Sequence, residues 1–114
     1  MRQNRDLVYI RHMLDFCRLA FDFLRNRRRS DMDSDAMRAL AVTRLIELIG
    51  EAARKVSPAF REQYPAIPWP LIIGTRDRLA HGYIEIDYDI IWRIVKNDLP
   101  SLIKQLEKLL TQEP

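Results

Sequence analysis

The strongest constraint on the fold is a set of apolar residues near the N-terminus, spaced alternately three and four positions apart. The set is Leu7, Ile10, Leu14, Cys17, Phe21 and Leu24. An α-helix completes one turn in about 3.6 residues, so this spacing puts all of them on one stripe of a helix. The sequence therefore predicts a helix over residues 6–27, with Asp6 as its N-cap, that packs along this stripe.

A second helix is predicted from about residue 35 to residue 56, after a turn at residues 31–34. Its apolar face is broad, which is typical of a central helix that contacts several others. The main stripe consists of Met37, Ala41, Leu45, Leu48, Ala52 and Val56. Gly50 costs this helix about 1 kcal/mol relative to Ala, and its presence predicts that another backbone approaches closely there.

Prolines punctuate the second half of the chain. Those between residues 57 and 68 predict an irregular connection that contains about one helical turn. A third helix is expected over residues 69–81, with Pro70 in its first turn and Gly82 as its terminator.

The C-terminal region predicts two further helical segments. The first is capped by Asp87 or Asp89. Pro100 is expected to kink or break the pattern near residues 97–99, and a last amphipathic helix follows.

These patterns predict an all-α fold, a bundle of four to five helices in up-down order. The 114 residues include only three glycines and fit a single domain over residues 1–114. The lone cysteine, Cys17, lies in the apolar stripe and is expected to be a reduced, buried thiol. We expect no membrane span and no secretory leader, which favours a cytoplasmic location.

Positive charge is concentrated near the N-terminus. Residues 1–29 hold eight arginines and three aspartates, a net charge of +5 in a chain of net charge +3. Part of this charge is a basic cluster formed by Arg25, Arg27, Arg28 and Arg29. A solvated helix end that complements the helix dipole explains the cluster. A patch that contacts a nucleic-acid backbone is the functional alternative.

The sequence offers little for metal or cofactor chemistry. It has two histidines, His12 and His81, and one cysteine, with no metal-ligand motif and no Gly-rich phosphate loop. We therefore expect neither a metal nor a cofactor. His12 lies off the stripe of the first helix and is expected at the surface or at an interface.

The remaining candidate is the segment from Arg76 to Tyr83, which includes Asp77, Arg78 and His81. Histidine transfers protons near neutral pH, and the planar guanidinium group of arginine binds phosphate. Cleavage of RNA by its own 2′-hydroxyl needs a proton acceptor, a proton donor and stabilisation of a pentacoordinate phosphate. A histidine and an arginine suffice for that reaction, without a metal.

Helical geometry limits this hypothesis. On a straight helix Arg76 and His81 lie about 140° apart, whereas Arg78 and His81 share a face. Arg76 and His81 can therefore share a site only if the helix unwinds near Gly82, or if two protomers combine their residues. Taken alone, the pattern is better explained by a helix-terminal histidine beside arginines that complement the helix dipole.

The segment Arg76-x4-His81-x-Tyr83 resembles the Arg-x4-6-His motif of the HEPN superfamily, in the form found in HepT-like proteins of the DUF86 family. Three further segments resemble that family in the same order along the chain. They are Leu-Ile-Gly-Glu-Ala-Ala at 48–53, Pro68-Trp69 with Ile-Ile-Gly at 72–74, and Ile91-Trp92 with Asp-Leu-Pro at 98–100. The resemblance covers about residues 6–108.

The resemblance implies a metal-independent ribonuclease, the toxin of a prokaryotic toxin–antitoxin pair, that works as a homodimer with both motifs lining one cleft. It implies that Arg76 binds the scissile phosphate of the RNA substrate and that His81 is the general acid or base. Arg78, which shares a helix face with His81, is a supporting candidate. Asp77 departs from the Asn that is frequent in the family. We expect it either to weaken the site by its negative charge or to orient Arg76.

Tyr83 matches the tyrosine that the cognate antitoxin, a minimal nucleotidyltransferase (MNT domain), modifies with AMP. An AMP group two residues from His81 would obstruct RNA and repel its backbone. The alternative function is a non-catalytic helical module that docks such a nucleotidyltransferase through its arginines. Activity of the purified, unmodified protein distinguishes the two.

Overall fold

The part of the chain that the structure describes folds into four long helical stretches and two short helices. The computed structural model describes the backbone of residues 2–81 and 86–113, and the side chains of residues 5–80 and 86–113. The helices are α1 (Arg2–Phe23), α2 (Asp31–Ser34), α3 (Ala36–Lys55), α4 (Pro58–Gln63), α5 (Trp69–His81), α6 (Tyr88–Arg93) and α7 (Leu99–Gln112). A π-helical stretch, Ile94–Asp98, joins α6 to α7 in one continuous run. The predicted all-α bundle is confirmed.

α3 lies at the centre of the bundle, packed mainly against α1 and α5. Arg38 near its start donates a hydrogen bond of 2.7 Å to the carbonyl oxygen of Phe23, at the end of α1. Ser57, just beyond its end, donates from its backbone nitrogen to the carboxylate of Asp6 at 2.8 Å. α1 and α3 therefore run antiparallel, and α7 also packs against α1.

The core follows the stripe predicted for α1. Five of the six stripe residues are buried, and Phe21 is half-buried. Cys17 is fully buried, and this burial raises the pKa of its thiol to about 12. The thiol is therefore protonated at neutral pH and acts as a small apolar group in the core.

The ends of α1 differ from the prediction. The helix already includes Arg2, and it ends at Phe23 rather than near residue 27. Asp6 is therefore not an N-cap. Its carboxylate is buried within the helix and accepts hydrogen bonds from the backbone nitrogen and the hydroxyl of Ser57. This pairing satisfies a buried carboxylate that would otherwise be costly.

α3 has the bounds that the sequence predicted, and the carboxylate of Asp35 caps it by accepting from the backbone nitrogen of Arg38. The segment at residues 31–34 is a one-turn helix rather than a simple turn. Met37 was predicted to lie on the packed stripe, but it is 84% exposed. Leu40, one turn later, is exposed as well, because no element in the described part of the chain covers this side of the start of α3.

The α-helical pattern is interrupted just before Pro100, as predicted, but the chain stays helical. The preceding turn widens to a π-helix, in which the backbone nitrogen of Leu99 donates to the carbonyl oxygen of Ile94. Pro100 thereby falls in the first turn of α7, where its missing N–H leaves no helical hydrogen bond unmade.

The other connections also have identifiable caps. Ser57 caps α4, and Asp87 rather than Asp89 caps α6. The predicted terminator Gly82 lies outside the described residues. No helix in the described part of the chain is long and apolar enough to cross a bilayer.

Candidate active site

α5 carries the predicted motif, and its first turn is anchored in the core. Trp69 is buried, and its indole Nε1 donates a hydrogen bond of 3.1 Å to the carbonyl oxygen of Tyr64. Pro70 occupies the first turn, as predicted, and the helix continues through His81. The backbone that bears Arg76, Asp77, and Arg78 is therefore regular helix.

Gly50 fixes how closely α5 approaches α3. A Cβ atom at position 50 would overlap the Cβ atom of Arg76 and would lie 2.9 Å from the carbonyl oxygen of Ile72. Only glycine fits between the two helices at this point. The close backbone approach predicted from the sequence is confirmed, and it holds the base of the Arg76 side chain against α3.

Asp77 accepts hydrogen bonds from two arginines. Nη2 of Arg54, which extends from α3, donates to both of its carboxylate oxygens. Nη1 of Arg76 donates to Oδ1 of the same carboxylate at 3.2 Å. Asp77 therefore links α3 to α5 and restrains the guanidinium group of Arg76.

The two arginines keep Asp77 ionised. The hydrogen bond from Arg76, together with the positive charge and hydrogen bond of Arg54, lowers the pKa of the Asp77 carboxyl below its ordinary value. The three side chains carry a net charge of +1. Asp77 alone would have cancelled the charge of Arg76, so Arg54 restores a positive balance at this end of α3 and α5.

The guanidinium of Arg76 is only partly satisfied. Its Nε atom is buried and has no hydrogen-bond partner among the described residues, although the side chain as a whole is 28% exposed. An unpaired buried donor costs about 1–3 kcal/mol. The guanidinium also keeps donors that are not paired with Asp77, and an anion with several oxygens can accept hydrogen bonds from them.

Arg78 lies on the opposite side of α5 from Arg76. Nη2 of Arg78 donates to the hydroxyl of Thr75 at 3.3 Å. Because α5 is regular through His81, Arg76 and His81 lie about 140° apart around its axis. The side chain of His81 and the whole of Tyr83 lie outside the described residues.

An open groove of about 640 Å³ lies beside Arg78, between α3, α5 and the helical run from α6 to α7. Arg93 and Asp98 also line it. The apolar side chains of Leu71 and Ile90, which contribute to its lining, are 58% and 45% exposed. Exposed apolar side chains grouped beside charged residues are typical of a surface that binds a partner.

The basic cluster lies in the loop between α1 and α2, since α1 ends at Phe23. Two of its members are engaged in ion pairs: Arg25 with Asp22 at 2.8 Å, and Arg29 with Asp33 and with Asp89 of α6. Arg27 and Arg28 are exposed. Among the hydrogen bonds and ion pairs of the described residues, none joins this cluster to Arg76, Asp77 or Arg78.

His12 is exposed on α1, where its ring contacts Tyr9 and Phe16. Within the described part of the chain, no group of three or more His, Cys, Asp or Glu side chains is arranged to hold a metal ion.

Arg54 is the site residue that the sequence did not single out. It follows Gly50 by four residues, so the two share the face of α3 that meets α5. Once Gly50 marks the contact with α5, a basic residue one turn later is a candidate partner for an acidic residue on α5. That spacing was the available signal.

Comparison with known proteins agrees with the resemblance drawn from the motif. A family model described as "Ribonuclease HepT-like" matches residues 13–109. The chain is 34% identical to "Probable ribonuclease HepT" of Thermococcus cleftensis, over 95% of this chain and 96% of that protein. It is 33% identical to "Putative RNase TTE0752" of Caldanaerobacter subterraneus subsp. tengcongensis, over 92% and 94% of the two chains. A further relative is "Putative RNase MJ1380" of Methanocaldococcus jannaschii, 34% identical over 91% and 96%. No solved structure matches the chain significantly.

Proposed function

Because the chain belongs to the HepT-like ribonuclease family, we propose that it is a metal-independent endoribonuclease in which Arg76 and His81 carry out the cleavage. The observation that carries this proposal is the state of Arg76. Its base is held by Gly50, its guanidinium is restrained by Asp77, and its Nε has no partner among the described residues. A restrained arginine with donors to spare is suited to bind a phosphate.

In the proposed reaction, the 2′-oxygen of RNA forms a bond to the adjacent phosphorus while the bond from phosphorus to the 5′-oxygen breaks. The products are a 2′,3′-cyclic phosphate and a 5′-hydroxyl. One proton leaves the 2′-oxygen and another reaches the 5′-oxygen, and His81 transfers one of them as general base or acid. Arg76 binds the non-bridging oxygens and stabilises the charge of the pentacoordinate phosphate, with Arg78 in support.

We propose that the working form is a homodimer. The angle of about 140° between Arg76 and His81 supports a site in which one protomer contributes the arginine and its partner contributes the histidine. The groove beside Arg78, with Leu71 and Ile90 exposed, is a suitable surface for the second copy.

Asp77 is proposed to orient Arg76 rather than to weaken the site. Its hydrogen bond to Nη1 of Arg76 supports this role, and the paired charge of Arg54 offsets its negative charge. Arg25, Arg27, Arg28 and Arg29 are proposed to contact the RNA backbone. Arg27 and Arg28 are expected to contribute most, because Arg25 and Arg29 are held by carboxylates.

The proposed biological role is that of a cytoplasmic toxin in a toxin–antitoxin pair. Its partner would be an MNT-type nucleotidyltransferase that transfers AMP from ATP to the hydroxyl of Tyr83, with release of pyrophosphate. The added bulk and negative charge near His81 would exclude RNA. Intact-mass measurement of the protein made with and without its neighbouring gene tests this: the AMP adduct should map to Tyr83 and appear only with the partner.

Cleavage of RNA by the purified, unmodified chain in EDTA tests the enzymatic function. The parent is expected to cleave, whereas Arg76→Ala and His81→Ala should not. Arg44→Ala is the matched control, because Arg44 is an exposed arginine of α3 that pairs with Glu47. If the two site variants cleave as fast as the parent, the site is wrong. If the parent cleaves no RNA but binds the nucleotidyltransferase tightly, the chain is a non-catalytic docking module.

A further inference from the structure

We propose that Arg54 is a positioning residue of the active site, which acts on Arg76 through Asp77. The inference rests on the proposed ribonuclease function and adds to it a residue from α3, more than twenty positions before the Arg-x4-His motif. It follows from three connected contacts and from the balance of charge among them.

The contacts form a chain that ends at Arg76. Nη2 of Arg54 donates to Oδ1 and Oδ2 of Asp77, so both oxygens of the carboxylate are held from the α3 side. Oδ1 also accepts from Nη1 of Arg76. A carboxylate held by Arg54 has little freedom to rotate about its side chain. The hydrogen bond that it accepts from Arg76 therefore sets the direction of that guanidinium.

The positive charge of Arg54 is a second way in which this residue acts on the guanidinium group of Arg76. Without Arg54, Asp77 would neutralise Arg76 and weaken its stabilisation of the charge that develops on the phosphate in the transition state. With Arg54, the three side chains keep a net positive charge, and the Asp77 carboxylate is shared between two cations. Phosphate therefore meets a positive site whose arginine is already oriented, which is the condition for effective transition-state stabilisation.

The contact geometry also predicts which substitution is tolerated. A single nitrogen of Arg54 reaches both oxygens, so the planar fork of the guanidinium is not used. The ammonium group of lysine can make the same contact as a point charge. Arg54→Lys is therefore expected to retain the function, whereas Arg54→Ala is not.

The pair is half-exposed, with side-chain exposures of 50% and 42%, and exposed ion pairs contribute little to stability. Loss of Arg54 should therefore affect catalysis and leave folding intact. A direct contact between Arg54 and RNA is the competing explanation. It predicts a loss of RNA affinity that does not depend on Asp77.

The experiment compares Arg54→Ala, Arg54→Lys, Asp77→Ala and the Arg54→Ala/Asp77→Ala double variant, with Arg44→Ala as the control. Single-turnover cleavage is measured at saturating RNA, and affinity is measured with a 2′-O-methyl RNA that cannot be cleaved. Arg54→Ala should lower the cleavage rate about 10- to 100-fold, the range expected when a catalytic group is misplaced. The affinity of Arg54→Ala for the uncleavable RNA should change less than about 3-fold. Arg54→Lys should keep most of the parent cleavage rate. The double variant should cleave no more slowly than the slower of the two single variants.

Three results would overturn the inference while leaving the ribonuclease function in place. In the first, Arg54→Ala cleaves as fast as Arg44→Ala. In the second, the fold-losses in cleavage rate of the two single variants multiply in the double variant. In the third, Arg54→Ala lowers RNA affinity to the same extent whether or not Asp77 is present. A ¹³C NMR titration of Asp77 tests the contact without activity: Arg54→Ala should raise the pKa of its carboxyl, and an unchanged pKa would refute the contact. A parent chain that cleaves no RNA refutes the proposed function instead.

Discussion

Gly50 and Arg76 meet where α3 and α5 approach most closely, and the contact leaves no room for a Cβ atom on residue 50. The residue proposed to bind phosphate is therefore positioned by the absence of a side chain on the neighbouring helix. The same helix pair is joined one turn further along by Arg54 and Asp77. The Gly50 contact and the Arg54–Asp77 ion pair thus both restrain Arg76 from the α3 side.

Gly50→Ala should displace α5 and impair cleavage. Overpacking a tight contact costs about 1–3 kcal/mol, and the better helix propensity of alanine offsets at most about 1 kcal/mol of that. We expect a lower free energy of unfolding in urea titrations and a single-turnover cleavage rate reduced at least about 10-fold.

Gly74→Ala is the matched control, because a Cβ atom on this α5 residue would meet nothing within 4 Å. It should raise the free energy of unfolding by about 0.5–1 kcal/mol through helix propensity and leave the cleavage rate unchanged. Equal behaviour of the two alanine variants would contradict the close approach of α3 and α5.

The pairing of Asp77 should give stability a small but specific pH dependence, small because the pair is half-exposed. Its carboxyl pKa is lowered in the folded chain, mainly by the hydrogen bond from Arg76. The stabilisation is therefore fully present above the ordinary carboxyl pKa of about 3.9 and is lost as the pH falls through the lowered value.

Urea unfolding of the parent and of Asp77→Asn checks this dependence, since asparagine keeps the shape and removes the charge. The difference in free energy of unfolding between the two should be constant from neutral pH to about pH 5 and should shrink as the pH falls below about 4. A difference that stays constant across the acid range would show that the ionised form of Asp77 does not stabilise the fold.

The local parts of this molecule could be predicted from its sequence, and the long-range pairings could not. Pro70 and Gly82 sufficed to predict the bounds of α5, and the glycine in mid-helix predicted a close backbone approach at Gly50. Each of these signals depends only on residues a few positions apart in the sequence. The partner of Gly50, by contrast, depends on the crossing of two helices and is not encoded in the spacing around it.

The incorrect or open sequence predictions also depend on contacts between distant segments. Asp6 is typical of an N-cap, but a distant hydroxyl and backbone nitrogen at Ser57 satisfy its carboxylate inside the helix. Met37 fits the apolar stripe, but the bundle does not extend to it. Asp77 allows two opposite expectations from the sequence alone, because its partner Arg54 lies 23 residues earlier in the chain. Each case turns on a contact between segments far apart in the chain.

The basic cluster should contribute to RNA affinity through Arg27 and Arg28. Each phosphate contact to a single strand contributes about −0.7 to the slope of log affinity against log salt, so Arg27→Ala/Arg28→Ala should reduce the slope by up to about 1.4. Fluorescence anisotropy with a 2′-O-methyl RNA at several salt concentrations measures it. Arg25→Ala should change the slope less, because Asp22 already pairs with Arg25. An unchanged slope in the double variant would show that Arg27 and Arg28 do not contact the RNA backbone and that the cluster is a solvated loop.

Leu71→Asp should dissociate the proposed dimer, because it introduces a charge where the groove exposes an apolar side chain. Sedimentation should then report a monomer, and cleavage should fall with the loss of the composite site. Leu19→Asp is the control, since Leu19 is an exposed leucine of α1 that does not line the groove. A Leu71→Asp protein that remains dimeric would exclude this surface as the dimer interface.

The angle between Arg76 and His81 leads to the most specific prediction for a composite site. If one protomer supplies the arginine and its partner the histidine, a mixed dimer of Arg76→Ala and His81→Ala contains one intact pair. Random exchange of protomers makes about half of the dimers mixed, and each has one of two sites restored, so about a quarter of the parent activity should return. Each variant alone should stay inactive, and adding Leu71→Asp to both should abolish the recovery. If both groups act within one chain, mixing restores nothing, and the composite site is refuted.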